Sequence, residues 1–327
     1  MRIESVKETH CIFDWMAGVT ARVYKSTGSW YVVQTELGAV YQARIKGKFK
    51  IDKAIRSTNP IAVGDWIEMD IEAVAEETGI ITHIMPRKNY LIRSSPHNRF
   101  QKHIVASNLD QSILIATLKE PRTSLGFIDR FLVSCEAYHI PAVLLFNKAD
   151  LLDDEELKQF AEIRARYEAI GYPVYLFSAE QGTGLSELRT LLQNKTSLFT
   201  GHSGVGKSTF INKLMPERDL RIQEVSEWSG KGMHTTTFAE MYNLPDGGAI
   251  IDTPGIRELG IIDISKQELS GYFPELRAVQ GNCKYNNCTH LIEPGCAVKD
   301  AVRDGRISEE RYISYAKIYD TIEERNY

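Results

Sequence analysis

The first third of the chain contains short stretches in which apolar and polar residues alternate, with glycines between them. Alternation with a period of two is typical of β-strands that are buried on one face. We predict five strands here: Thr20 to Tyr24, Ser29 to Thr35, Val40 to Ile45, Asp65 to Ile71 and Gly79 to Pro86. Five short strands so close together predict a small barrel. A five-stranded nucleic-acid-binding barrel is the simplest assignment, and an SH3-like barrel is the alternative.

From Val105 the pattern changes to apolar runs that alternate with helical periodicity. The predicted strands are Ser112 to Leu118, Ala142 to Phe146, Val174 to Phe177, Ser197 to Thr200 and Ala249 to Ile251. Between them lie predicted helices at Phe127 to His139, Asp154 to Ala169, Leu185 to Leu192 and from about Lys207 onward. Such alternation predicts an α/β domain with a parallel sheet, in which ligands bind at the carboxyl ends of strands.

After Gly260 the chain becomes helical and contains cysteines, and Ile307 to Arg325 is a predicted terminal helix. The chain therefore divides into several parts. We predict an N-terminal extension at 1–15, a barrel at 16–93, an irregular linker at 94–104, an α/β domain at 105–262 and a helical domain at 263–327.

Composition adds limits on location and class. The 327 residues are 43% apolar, enough for more than one core. No apolar run approaches the roughly 20 residues that span a bilayer, and the N-terminus lacks the apolar centre of a signal peptide. Five cysteines, three of them close together, indicate a reducing compartment with a metal site rather than disulfides. We expect a monomer in the cytoplasm with no membrane contact.

Charge is distributed unevenly along the chain. The net charge is −4, yet residues 1–104 carry 15 Lys and Arg against 11 Asp and Glu. Positive residues are densest from Arg44 to Arg56, where they alternate with Ile45, Phe49 and Ile51. This pattern predicts contact with a nucleic acid, and a solvated loop is the alternative.

A phosphate-binding loop lies between the strand ending at Thr200 and the next helix. The loop and the start of the helix supply the predicted contacts: Gly201, His202, Ser203, Gly204, Val205, Gly206, Lys207, Ser208 and Thr209. Backbone N–H groups of such a loop point at phosphate, and the helix N-terminus adds positive potential. Lys207 is predicted to reach the β and γ phosphates, and Ser208 to ligate Mg²⁺.

The base is predicted to be guanine because of two further motifs. Asn147-Lys148-Ala149-Asp150 follows one apolar strand, and Ser178-Ala179 follows the next. A carboxylate such as Asp150 accepts hydrogen bonds from the ring N–H and amine of guanine, whereas adenine would leave it unpaired. Lys148 is predicted to cover the ring with its aliphatic stem, and Ala179 to donate its N–H to the guanine oxygen.

The strand ending at Ile251 leads into Asp252-Thr253-Pro254-Gly255. Asp252 is predicted to hold Mg²⁺ through water, and the N–H of Gly255 to meet the γ-phosphate. A polar, glycine-rich stretch at 230–237 precedes this strand, and Thr236 within it is the candidate for completing the Mg²⁺ shell. We expect this stretch to order on GTP and to be released on hydrolysis.

The catalytic group is less clearly marked. Ile256 follows Gly255, where Ras-like enzymes carry the glutamine that orients water, so slow intrinsic hydrolysis is expected. His234 is the candidate for positioning or deprotonating the water, and a loop residue or an RNA contact is the alternative. Lys207 is the second predicted catalytic residue.

The motifs stand in a rotated order, since the two base-binding motifs precede the phosphate loop and Asp252 to Gly255 follows it. With the basic barrel before them and the cysteines after them, the chain resembles the circularly permuted GTPases of the ribosome small-subunit-dependent GTPase A family. The resemblance implies an OB-fold, a permuted GTPase domain and a C-terminal zinc domain. It also implies GTP hydrolysis stimulated by the small ribosomal subunit and its rRNA, with release of assembly factors such as ribosome-binding factor A.

Four potential ligands lie within 14 residues: Cys283, Cys288, His290 and Cys296. Three thiolates and one imidazole form the ligand set of a closed structural zinc site. The spacing departs from the common finger, so unligated cysteines are the alternative, but the family carries the same pattern. The permutation joins this domain to the strand end near the γ-phosphate and puts the basic barrel on the other end of the core. We expect both lobes to follow the nucleotide state, the C-terminal domain most directly.

Two other functions fit parts of the sequence. A nonenzymatic module could occupy a ribosomal site while loaded with GTP and leave on exchange. A P-loop ATPase or nucleotide kinase would have no link to the ribosome, but Asn147 and Asp150 argue against it.

Overall fold

A computed structural model describes residues 18–45, 60–73, 76–94, 102–216, 239–253 and 263–322. Thirteen strands lie in these ranges: β1 Val19–Ser26, β2 Tyr31–Thr35, β3 Val40–Ile45, β4 Trp66–Ala73, β5 Thr78–Ile84, β6 Tyr90–Ser94, β7 Lys102–Ser107, β8 Gln111–Ala116, β9 Ala142–Phe146, β10 Val174–Leu176, β11 Thr196–Thr200, β12 Glu240–Asn243 and β13 Ala249–Asp252. The helices are α1 Leu125–Ala137, α2 Asp154–Glu168, α3 Leu185–Leu192, α4 Lys207–Leu214, α5 Pro274–Arg277, α6 Ala297–Arg303 and α7 Glu309–Thr321.

The five N-terminal strands form a closed barrel. β1 pairs antiparallel with both β2 and β4, and β3 pairs in parallel with β5. Alternate side chains of these strands, such as Ala21, Val23 and Ile67, point inward and are fully buried. All five strands match the prediction, and the barrel is OB-like. Of the predicted basic run, Arg44 is described and lies against Trp30, while residues 46–59 are outside the described ranges.

A two-stranded hairpin follows the barrel. β6 and β7 pair antiparallel, so the prediction of an irregular linker over 94–104 is wrong at both ends. The hairpin is fixed to the barrel by Asp65, whose fully buried carboxylate accepts hydrogen bonds from the guanidinium of Arg87 and from the hydroxyl of Ser107 at 2.5 Å. The strands were missed because polar residues dominate the stretch that connects them.

The α/β domain contains the predicted parallel strands. They lie in the order β10-β9-β8-β11-β13, all parallel, with helices on both faces. Alternate residues of β8 enter opposite cores: Ile113 and Ile115 pack towards α3 and α4, whereas Leu114 and Ala116 pack towards α1 and α2. The predicted strands and helices of this domain are confirmed with shifts of one to two residues at most ends.

One strand of this sheet was not predicted. β12 pairs antiparallel with β13 on one side, and on the other side it meets β1 of the barrel. The barrel and the α/β sheet therefore form one continuous sheet of eleven strands. Only four residues long, β12 shows too little periodicity to be recognised from sequence.

The C-terminal lobe, residues 263–322, contains short helices and no strand in its described residues. Its core includes Phe273, Leu276, Val298 and Tyr315, and it continues into α1 of the α/β domain through Val133. The predicted terminal helix is confirmed as α7. Among the described residues, no helix is long and apolar enough to cross a membrane.

Candidate nucleotide site and metal centre

The predicted phosphate loop follows β11 and leads directly into α4. Gly204 and Gly206 adopt left-handed backbone angles, with φ of 85° and 90°. A Cβ at Gly206 would lie 2.2 Å from the side-chain nitrogen of Asn147, and one at Gly201 would lie 2.5 Å from the carbonyl oxygen of Ile115. Glycine is therefore required at these positions by conformation and by the close approach of neighbouring chain.

Asn147 joins the three motifs that the sequence singled out. Its side-chain amide donates to the carbonyl of Val205 in the phosphate loop at 2.8 Å. Its carbonyl oxygen accepts from the backbone N–H of Ala179 at 2.9 Å. The residue is only 4% exposed, so both hydrogen bonds are shielded from water. The structure thus brings together segments that are 58 and 32 residues distant from Asn147.

The carboxylate of Asp150 and the ammonium group of Lys148 lie at the predicted base-binding side. Asp150 accepts a hydrogen bond from the hydroxyl of Ser178, which also accepts from the N–H of Gln181 at 3.0 Å. Lys148 has a left-handed backbone, φ 68°, and its ammonium group donates to the carbonyl of Glu120. One carboxylate oxygen of Asp150 is thus oriented by Ser178, as a group that reads a base edge must be.

Lys207 and Asp252 mark the phosphate and metal end of the site. Lys207 begins α4 and Asp252 ends β13, and their charged groups are 3.9 Å apart. The hydroxyl of Thr253 donates to the carbonyl of Phe199 at 3.1 Å, which holds the end of β13 against β11. Ser208 and Thr209 are exposed on the first turn of α4. An ammonium group beside a carboxylate fits a triphosphate with its cation.

Several predicted residues cannot be placed. His234, Thr236 and Gly255 lie outside the described residues. The described residues also show contacts that sequence reasoning missed, since Glu120 and Phe127 both touch predicted site residues. His202 stacks on the ring of Phe127 with 3.8 Å between ring centroids. One feature of the sequence could have indicated Glu120 and Phe127. They follow β8 directly, and β8 lies beside β11, the strand that leads into the phosphate loop.

The four predicted metal ligands converge in the C-terminal lobe. The ligand atoms of Cys283, Cys288, His290 and Cys296 all lie within 4.8 Å of one another. The Nδ1 atom of His290 is 3.5 Å from the sulfur of Cys283 and equally far from that of Cys296. Burial lowers the pKa of His290, which favours the neutral imidazole that a metal requires. The cluster could therefore hold one metal ion.

The surrounding residues orient these ligands. The hydroxyl of Tyr312 donates to the carbonyl of His290 at 2.7 Å, and that of Tyr315 donates to the carbonyl of Thr289 at 2.7 Å. Burial raises the pKa of the Cys288 thiol, so a thiolate there needs a cation beside it. Both tyrosines lie on α7, and the terminal helix thus supports the loop that carries the ligands.

Two family models match the chain. The model described as RsgA GTPase matches residues 84–262, and the one described as RsgA N-terminal domain matches residues 20–81. A protein of Cytophaga hutchinsonii named "Small ribosomal subunit biogenesis GTPase RsgA" is 51% identical over 297 residues, 90% of this chain and 96% of that protein. A Bacteroides fragilis protein of the same name is 48% identical, covering 93% of this chain and 97% of that protein.

Two solved structures have the same architecture. YjeQ from Thermotoga maritima is 34% identical with a TM-score of 0.75, and the match covers 93% of this chain and 98% of that one. A structure titled "The crystal structure of YloQ, a circularly permuted GTPase" is 30% identical with a TM-score of 0.73, covering 98% of this chain and 99% of that one. The rotated motif order seen here agrees with that title.

Proposed function

The chain belongs to the RsgA GTPase family and is a GTP-hydrolysing enzyme, and we propose that its hydrolysis serves the biogenesis of the small ribosomal subunit. The printed names of relatives about half identical in sequence support this role. The supporting observation in the structure is the meeting of three sequence motifs at Asn147, which is the arrangement that a base pocket beside a phosphate loop requires.

We propose these roles for the site residues. Asp150 reads guanine, Lys148 covers the ring, and the N–H of Ala179, which donates to Asn147 at 2.9 Å, is shared with the guanine oxygen. The loop from Gly201 to Gly206 supplies backbone N–H groups to the phosphates. Lys207 neutralises the β and γ phosphates, and Ser208, Thr236 and Asp252 hold Mg²⁺, directly or through water. The short distance between Lys207 and Asp252 supports this placement.

The hydrolytic step is proposed to depend on the partner. Because Ile256 occupies the position of the usual water-orienting glutamine, intrinsic turnover is slow. We propose that the small subunit and its rRNA stimulate turnover, that His234 positions the attacking water, and that assembly factors such as ribosome-binding factor A are released. In this proposal the protein acts as a monomer in the cytoplasm.

The metal of the C-terminal lobe is proposed to be zinc. Three thiolates and one imidazole match its preferred tetrahedral ligands. The Cys283 and Cys296 sulfurs are 4.0 Å apart, close to the roughly 3.8 Å edge of a tetrahedron with Zn–S bonds of about 2.3 Å. All four positions are filled by protein, so the metal supplies structure rather than chemistry.

Phosphate release from GTP, measured with and without purified small ribosomal subunits, tests the function. We expect the rate to rise with added subunits, and to stay at background in Lys207→Ala because the phosphates lose their charge partner. His234→Ala is expected to lower the stimulated rate while GTP binding persists. Turnover that does not respond to subunits would contradict the proposal.

A further inference from the structure

We propose that the segment 120–127, which joins β8 to α1, is a positioning wall for the bound nucleotide. Its main contact is the stack of Phe127 on His202. The segment touches the phosphate loop and the lysine of the base-binding motif, and it belongs to none of the sequence motifs. This inference rests on the nucleotide site proposed above and adds residues that set its geometry.

On the phosphate side the wall meets the loop at two points. The rings of Phe127 and His202 have centroids 3.8 Å apart and are inclined by 35°, and both side chains are half-buried. A Cβ at Gly204 would lie 3.4 Å from the ring of Pro121, so proline and loop are in contact range. The ring contact thus holds His202, a loop residue to which the amide of Asn147 makes no hydrogen bond.

On the base side the wall meets Lys148. The backbone carbonyl of Glu120 accepts a hydrogen bond from the ammonium group of this lysine. That bond draws the lysine stem across the space between the base-binding motif and the wall. An ion pair between Glu156 of α2 and Lys119, the residue just before the wall, at 2.7 Å connects this end of the segment to α2.

The wall is itself held in one conformation. The N–H of Thr117 donates to the hydroxyl of Thr123 at 3.1 Å, and the N–H of Thr123 returns a bond to the carbonyl of Thr117 at 2.8 Å. Ser124 then caps α1, because its hydroxyl accepts from the N–H of Phe127 at 3.2 Å. Phe127 is thus fixed in the first turn of a helix whose next turn is buried.

A fixed aromatic contact has a definite consequence for affinity. The phosphate loop must present its N–H groups in one arrangement when nucleotide binds. A loop that is mobile beforehand loses conformational freedom on binding, which weakens the complex, and the contact with Phe127 reduces that loss. An aromatic pair is worth about 0.5–1.5 kcal/mol, and to the extent that it fixes the loop its removal weakens binding by up to roughly tenfold. The loss is expected for GDP and GTP alike, because both use the loop.

Equilibrium binding of GDP and GTP to the full-length protein tests the wall. Phe127→Ala and His202→Ala are each expected to weaken binding about two- to tenfold, and the double variant no further, since both remove one contact. Phe127→Tyr keeps the ring and is expected to stay within about twofold of wild type. Phe127→Leu keeps apolar volume without the stack, and it replaces Phe127→Ala if that variant does not fold.

The matched control is Tyr138→Ala at the other end of α1. Tyr138 pairs with Tyr90 at 5.8 Å between ring centroids, distant in the helix from the phosphate loop. This variant is expected to bind nucleotide as wild type does. Unchanged affinity in Phe127→Ala, or losses that multiply in the double variant, would overturn the wall while the site stands. Wild-type protein that binds no guanine nucleotide would overturn the site and the wall together.

Discussion

The barrel and the C-terminal lobe are attached to the GTPase domain in different ways. The lobe is attached through a buried charge cluster, in which Arg311 of α7 contacts Asp129 of α1 and Glu275 of α5, both at 2.6 Å. Arg311 and Asp129 are 2% and 1% exposed. The barrel is attached to the GTPase sheet by one ladder pair, Lys25 with Glu240, by polar contacts around it, and by apolar residues such as Tyr24 that share a core with Met241.

The side chains that attach the lobe are buried and remain charged. Burial alone would lower the pKa of Arg311, but the carboxylates of Asp129 and Glu275 raise it on balance, so the guanidinium stays charged. The hydroxyl of Tyr167 on α2 donates to Asp129 at 2.7 Å and completes its hydrogen bonds. Opening this contact would leave Arg311 and the two carboxylates buried without their partners, which is strongly unfavourable.

The barrel attachment lies on the strand closest to the predicted switch. Asn243 of β12 accepts from the hydroxyl of Tyr24 at 2.6 Å and donates to the side-chain oxygen of Gln34 at 2.9 Å. Two residues separate the start of β12 from the stretch 230–237, which contains His234 and Thr236. Sequence reasoning expected the C-terminal domain to follow the nucleotide most directly. That expectation stays a prediction, and the structure adds a second route through β12 to the barrel.

Of the changes described below, removing the metal proposed for the C-terminal lobe should destabilise the protein most. The lobe has a small core of its own, and structural zinc sites contribute on the order of 10 kcal/mol to folding. A strong chelator is expected to reduce the helical signal in circular dichroism and to open residues 263–322 to proteases, with recovery on adding zinc. An unchanged digestion pattern would show that Arg311 and the apolar core keep the lobe folded without the metal.

Arg311→Ala should be the most harmful substitution at either junction. It leaves the carboxylates of Asp129 and Glu275 buried without a cation, which costs about 3–5 kcal/mol. Denaturant unfolding measures the loss. Arg303→Ala is the matched control, since its ion pair with Asp300 is exposed and worth roughly 0–1 kcal/mol. Equal effects of the two changes would remove the buried cluster from the account.

Asp65→Asn tests the charge that joins the barrel to its hairpin. Arg87 and Ser107 lose a charged acceptor, and we expect a loss of about 1.5–3 kcal/mol in unfolding free energy. Asp246→Asn, in an exposed pair with Arg189, is the control. A loss larger than that of Arg311→Ala would mean that the buried charge of the barrel contributes more stability than the charge cluster of the lobe.

Asn243→Ala should have the smallest effect, about 1 kcal/mol on the stability of the junction. The coupling energy between the two side chains is the sharper readout. A double-mutant cycle with Tyr24→Phe isolates the hydrogen bond between Tyr24 and Asn243. Additive losses in the cycle would mean that Tyr24 and Asn243 do not act together in solution. Values near 3 kcal/mol would mean that the barrel is held as firmly as the lobe.

Sequence reasoning recovered what local pattern determines. The barrel strands follow from alternation, the α/β elements from apolar runs, and the metal ligands from their spacing, and the structure agrees in each case. The short strand β12 was missed because pairing with the distant β1 specifies it. The hairpin of β6 and β7 was missed because polar residues dominate the stretch that connects its strands.

The missed site residues have the same cause. Phe127 appears in the sequence as one more apolar position of α1, and only the fold places it on His202. Arg311 resembles any polar residue of a terminal helix, yet its partner Asp129 is 182 residues away. Neither contact has a local signal, so neither could be predicted from one sequence.

Relative affinity for GDP and ADP, in wild type and in Asp150→Asn, tests most directly whether motifs that precede the phosphate loop complete its base pocket. A site built around a polar partner rejects an analogue that lacks it by about 10⁴-fold, so we predict strong preference for GDP in wild type. Losing the charged acceptor in Asp150→Asn should weaken GDP binding about 10- to 150-fold. Equal affinity for the two nucleotides, or an unchanged GDP affinity in the variant, would contradict the account.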